Sequence, residues 1–191
     1  GLLSVSDLSE PNKLCDALIK AGIEIGIPQN DDINGLDQEG IGYHQATIRN
    51  GRRCSSARAF LDPIKKRANL HILTGALAEK ILFTGKEASG LSYLVDGASY
   101  VANARCEIIL SGGAFNSPQL LELSGVGQAE RLKNFGIQVI HDLSGVGHDL
   151  QDHQIIRMRW RIAQPVTFNE QVHGFRAVYS ALRYLFKRSG V

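Results

Sequence analysis

The chain has 191 residues, of which 43% are hydrophobic and 21% charged, the composition of a globular protein with room for one large domain or parts of two. A formal net charge of +2 is too small to argue for a nucleic-acid partner. No apolar run approaches the roughly 18 residues that would cross a membrane, and the opening GLLSVSDLSEPNK has neither the basic leader nor the apolar core of a signal peptide.

Residues 11–25 predict an amphipathic helix, with Leu14, Ala17, Leu18 and Ala21 on one stripe. Pro11 suits its first turn, and Gly26 with Pro28 ends it. A polar loop follows at residues 30–40. Tyr43 to Thr47 alternates as a strand would, and Arg49 to Arg53 holds an Asn-Gly turn. Ser55 or Ser56 can cap a short helix that Pro63 stops. Leu70 to Leu73 reads as a short strand. Leu77 to Phe83, Gly90 to Val95 and Ser99 to Ala102 read as an antiparallel meander, with turns at Thr84-Gly85-Lys86 and Asp96-Gly97.

Cys106 to Leu110 then reads as a buried strand running into Ser111-Gly112-Gly113. Ser117-Pro118 fits a helix start, Ser capping and Pro taking the first position, with Gly125 closing it. A second short helix spans about 128–135 and ends at Gly136. Val139 to His141 and Gln154 to Ile162 read as strands. Val172 to Lys187 reads as a helix with Phe175, Val178, Tyr179 and Leu182 on one face. The sum is a mixed α/β fold. LSGVG occurs twice, at 123–127 and 143–147, which falls short of the about three units a repeat fold needs.

Several chemistries fail on their residues. Asn30, Asp32, Asn34 and Gly35 imitate half of a calcium loop, but Ile41 stands where a bidentate Glu belongs. The reading is a turn stitched by side-chain-to-backbone bonds. The pairs Gly40/Gly42, Gly125/Gly127 and Gly145/Gly147 are followed by Gln45, Glu130 and Leu150, so none completes G-x-G-x-x-G. There is no G-x-S-x-G elbow. His148 and His153 are five apart, a spacing that does not bring two rings to one helical face. Cys15, Cys54 and Cys106 are odd in number and widely separated. That argues against disulfides or a zinc knuckle, for small core residues, and for a reducing, cytoplasmic compartment.

One stretch remains. Residues 113–127, GAFNSPQLLELSGVG, place glycines at the carboxyl end of a strand, where backbone can approach a ligand closely. By spacing alone this is a possible cofactor edge or a tight strand-to-helix turn. The stretch also resembles the second signature of the glucose–methanol–choline oxidoreductases at each constrained position: Gly113, Ala114, Ser117, Pro118, Leu120, Leu121, Ser124, Gly125, Val126 and Gly127. The likeness extends through NDDINGLDQEGIGYHQATIRNGRRCSSARAFL, LHILTGALAEKILF and GVGHDLQDH, and within the family it is similar to the choline-dehydrogenase-like alcohol dehydrogenases.

The resemblance implies an FAD-dependent enzyme that oxidises a small alcohol to a carbonyl, with a base taking the hydroxyl proton and hydride passing to the flavin. In the family layout the G-x-G-x-x-G lies before Gly1 and the catalytic histidine beyond Val191, so no catalytic residue is expected in this chain. The resemblance makes residues 1–68 a segment entering the substrate domain. It makes 69–153 part of a discontinuous FAD-binding domain, and 154–191 the start of an antiparallel substrate-domain sheet and its helix. It puts Ala78 at the position whose backbone meets the adenine, and Ser111 and Gly112 at a second flavin-contacting turn. His153 matches a residue near the substrate pocket. Choline-active members carry Glu two residues later, where this chain has Ile155. An apolar side chain cannot pair with a quaternary ammonium, so choline is disfavoured.

The competing expectation is a binding or interaction piece that keeps the fold without flavin. Lacking a phosphate cradle, the chain alone is expected to be colourless, where a bound flavin would absorb near about 450 nm.

Overall fold

The computed structural model describes residues 1–8 and 11–188. It is a mixed α/β structure of two compact units, one formed by residues 1–71 and 158–191 and the other by residues 72–157.

In the first unit, α1 (Lys13–Glu24) begins at Asn12, whose side chain accepts the Leu14 N–H at 2.8 Å. Pro11 thus lies just outside the helix. Gly26, at φ +94°, ends it. The inward stripe is Cys15, Ile19 and Gly22, one position away from the expected one; Leu18 and Ala21 face solvent. The cause is Ile41. A Cβ on Gly22 would lie 2.7 Å from its Cδ1, so only glycine lets Ile41 settle onto the helix. The polar loop is stitched as expected: Asn30 Nδ2 donates to Asp37 O, and the Asn30, Asp32 and Asp37 side chains accept from Asp32, Asn34 and Glu39 N–H groups. Those oxygens are committed to the backbone.

β1 (Ile48–Arg49) and β2 (Arg52–Arg53) pair across Asn50-Gly51, both at positive φ as a two-residue hairpin turn requires. Tyr43 to Thr47 is not a strand; its ladder is one bridge between Ala46 and Ser6. Ala57–Leu61 is a π-helical turn, with Asp62 N–H reaching Ala57 O at 2.8 Å. Leu70 to Leu73 is irregular. α4 (Phe168–Gln171) and α5 (Gly174–Lys187) follow. Phe175 on α5 is 95% exposed, so the described residues leave its apolar face uncovered.

The second unit is built on β3 (Ala76–Thr84), β4 (Glu87–Val95) and β5 (Ala98–Asn103), an antiparallel sheet in the order β3-β4-β5. Gly85 supports the first turn; Asp96 and Gly97, both at positive φ, form the second. α2 (Gly113–Leu123) starts a turn earlier than Ser117-Pro118 suggested and carries Pro118 inside it. Ser117 is therefore not the N-cap, which is Gly112; from inside the helix its Oγ accepts the Gly112 N–H at 3.0 Å. β6 (Val126–Gly127) pairs in parallel with β7 (His141–Asp142), a residue beyond the expected strand, and α3 (Ala129–Asn134) links them and ends before Gly136 at φ +70°.

The core of this unit is Ile81, Ser124, Val126, Leu132 and Val146. Residues 106–110 and 154–162 are not strands, and Ile109, Ile156 and Trp160 are exposed. A strand needs a hydrogen-bonded neighbour as well as a period of two, and among the described residues these segments have none. Cys54 is a core thiol as expected, but Cys106 is exposed with its segment.

Candidate functional site

The edge of β3 is one of two borders of the sheet, with that of β5, where the second unit offers unpaired backbone. Ile81 N–H points away from β4, because it donates to Ser124 Oγ at 2.8 Å. Paired residues in an antiparallel ladder alternate between facing the partner strand and facing away. From the pair Ile81↔Leu91, the next is Lys80↔Ser92 and the next Ala78↔Tyr93, with Glu79 the extra residue of a β-bulge. The alternation therefore turns the Ala78 N–H and C=O outward, to the free edge.

Glu79 is held by the sheet: its Oε2 accepts from Ser92 Oγ at 3.0 Å and from Ser99 Oγ at 3.2 Å. The bulge is tied across all three strands, and Ala78 sits at its shoulder.

Facing that edge is α2, through residues 116 to 123. A cavity of about 250 Å³ lies between them, lined by Ala78 and Gly112 together. Leu77, Leu110, Leu120 and Leu123 form apolar walls, and Asn116, Ser117 and Gln119 supply side-chain polarity. Two of the residues singled out from sequence, Ala78 and Gly112, thus meet at one cavity. Ser111 precedes Gly112 and is exposed. A Cβ on Gly112 would lie 3.1 Å from Asn116 Cβ and 3.3 Å from Ser117 N, so glycine keeps this corner open.

Asn116 and Gln119 were not evident from sequence as site residues. The available signal was their separation of three inside the signature helix, which puts both on one face. His153 and Ile155 lie elsewhere, in irregular exposed chain; the His153 N–H donates to Asp152 Oδ1 at 2.7 Å, and Ile155 is 70% exposed.

A larger cavity of about 410 Å³ is lined mainly by Ile81, Phe83, Ile108, Leu121, Val126 and Ile140. Its walls are apolar except for Lys86 and His141, so it has the character of unfilled core rather than of a site with convergent polar groups.

In the first unit, Tyr43 OH donates to Asp16 Oδ1 at 2.7 Å and accepts the Asn12 N–H at 3.1 Å. Burial, and then the Asp16 hydrogen bond, raise the Tyr43 hydroxyl above its usual pKa.

The second unit is thus a bulged antiparallel meander whose β3 edge faces a glycine-led helix, and the class it belongs to is given by its relatives. The GMC oxidoreductase family matches residues 1–155, and the chain belongs to that family. It is 43% identical over 183 residues to the oxygen-dependent choline dehydrogenase of Pseudomonas fluorescens (strain SBW25), a match covering 94% of this chain and 32% of that protein. The chain thus spans about a third of the length of the curated relatives it matches. An FAD-dependent oxidoreductase from Chaetomium thermophilum superimposes with a TM-score of 0.85 at 26% identity, over 100% of this chain and 34% of its own. Pyridoxine 4-oxidase from Mesorbium loti does so with a TM-score of 0.71 at 31% identity, over 75% of this chain and 28% of its own. Among the described residues no helix is long and apolar enough to cross a membrane.

Proposed function

We propose that this chain supplies the adenosine-binding wall of an FAD-dependent oxidoreductase that oxidises the CH–OH group of an alcohol to an aldehyde. The observation carrying the reading is the cavity shared by Ala78 and Gly112, with the Ala78 backbone turned toward it. Its roughly 250 Å³ falls below the about 300–1,000 Å³ of sites that enclose whole drug-sized ligands. That fits one ring system and not a dinucleotide. Leucines suit the ring faces, a backbone donor and acceptor suit its edge, and the space kept by Gly112 suits close passage of the sugar. Ser111 would complete that turn. When bound, FAD would supply the hydride-accepting chemistry; the residues of this chain would bind and orient its adenosine half and keep water from it.

The unit of residues 72–157 is read as the FAD-binding part, and residues 1–71 with 158–191 as belonging to the substrate domain. Three free thiols suit a reducing, cytoplasmic setting.

His153 and Ile155 are read as approaching the alcohol. An isoleucine has no charge for a quaternary ammonium, which favours a neutral primary or aliphatic alcohol, although the curated relatives carry choline dehydrogenase names. The test is an alcohol panel on the full-length flavoprotein, in wild type and Ile155→Glu. Neutral alcohols should be turned over by the wild type, with choline appearing only in the variant. Ready choline turnover by the wild type would sink the Ile155 reading, and a flavin-free, inactive full-length protein would sink the enzyme reading.

A further inference from the structure

We propose that Asn116 and Gln119 read the outer edge of the ring seated at Ala78 and so select adenine over guanine; this rests on the reading of that cavity as an adenine seat. Both residues line the cavity, and they stand three apart on α2, on one helical face. No hydrogen bond within the described residues occupies either carboxamide. Ser117 is different, because its oxygen already accepts the Gly112 N–H.

The two walls of the cavity offer matching chemistry. On β3, Ala78 presents one backbone donor and one acceptor. On α2, each carboxamide presents an NH₂ donor and a carbonyl acceptor. Adenine has an amino group flanked by acceptor nitrogens on both sides, so its pairing edge suits the first wall. Its amino group and N7 suit a carboxamide, the pairing by which Asn and Gln read adenine elsewhere. Guanine carries O6 in place of the amino group, and O6 and N7 both accept. A carboxamide facing it sets carbonyl against carbonyl, and the Ala78 carbonyl also loses its donor. The leucine walls hold either ring alike, so discrimination falls to the polar edges. Gly112 contributes indirectly: a Cβ there would crowd Asn116 Cβ at 3.1 Å and push its side chain off line.

The test titrates adenosine and then guanosine into the isotope-labelled chain while following the Ala78 backbone amide and the side-chain NH₂ signals of Asn116 and Gln119. Adenosine should move all three, with guanosine binding about tenfold more weakly. Asn116→Leu with Gln119→Leu should remove the carboxamides' share of that preference and leave only the part due to the Ala78 backbone, while the Ala78 amide still responds to adenosine and thermal stability holds, since both positions are exposed. If the double variant keeps the full preference while Ala78 still responds, the carboxamide proposal fails and the adenine seat stands. If adenosine leaves the wild-type Ala78 amide unmoved, the seat itself is overturned and the proposal with it.

Discussion

The hydroxyl of Ser124 accepts the amide proton of Ile81 at 2.8 Å, and the same hydroxyl donates to Leu120 O. Ser124 is fully buried. One side chain thus closes the end of α2 and covers an open position on β3. Ser124→Ala leaves the Ile81 N–H buried and unpaired, which costs about 1–3 kcal/mol. Urea unfolding should show a midpoint lowered to match, with an unchanged slope.

The two LSGVG strings make a controlled comparison. Gly125 sits at φ +90°, and a Cβ there would meet Gln138 O at 2.3 Å. Gly145 holds the same place in the second copy, and a Cβ there meets nothing within 4 Å. Gly125→Ala should destabilise by more than about 2 kcal/mol, from strain and clash together. Gly145→Ala should stay within about 0.5 kcal/mol. Equal losses in thermal melts of the two variants would contradict this account.

Gly112→Ala separates binding from folding. Its φ of −77° suits any residue, so the backbone accepts alanine. The added methyl intrudes on the corner beside Asn116. Flavin affinity of the full-length protein should fall about tenfold, with the unfolding midpoint of the flavin-free protein little changed.

Tyr43 ionises above its usual pKa of about 10, through burial first and the Asp16 hydrogen bond second. The folded state therefore keeps this proton more tightly than the unfolded chain. Its stabilising contribution is complete below the unfolded pKa and is lost as pH rises through the raised folded value. Tyr43→Phe should flatten that alkaline fall in stability and remove a late-ionising tyrosine from the ultraviolet titration. An unchanged alkaline slope would argue against the assignment.

Local chemistry was legible wherever it was self-sufficient. Asn50-Gly51 and Asp96-Gly97 specify their turns because few other pairs tolerate two positive φ values. The meander followed, since its strands are each other's partners. The helix at 11–25 was legible in extent but not in facing, because the choice between Leu18 and Ile19 depends on Ile41, distant in sequence. CEIIL at 106–110 and the alternation at 154–162 state which faces seek cover, yet a period of two cannot supply the neighbouring strand. Ser117-Pro118 obeyed a helix-start rule that the preceding glycines superseded.

At the site, Ala78 and Gly112 were reached through a family likeness, and only the packing of α2 against β3 joins them to one cavity. Asn116 and Gln119 escaped notice because two carboxamides on an exposed helical face look like ordinary surface until the opposite wall is known. Glu79 escaped because a bulge leaves no mark in composition.

β5 has a practical bearing on anyone handling the protein. All six of its residues, Ala98 to Asn103, are exposed, and none is charged. Among the described residues it pairs on one side only, with β4. Soluble proteins commonly guard such a border with lysine, proline or a bulge, and this one has none of them. A concentrated sample has a ready-made seam along which two molecules can knit. Val101→Lys, at a position 58% exposed, is the substitution to introduce before crystallisation or spectroscopy.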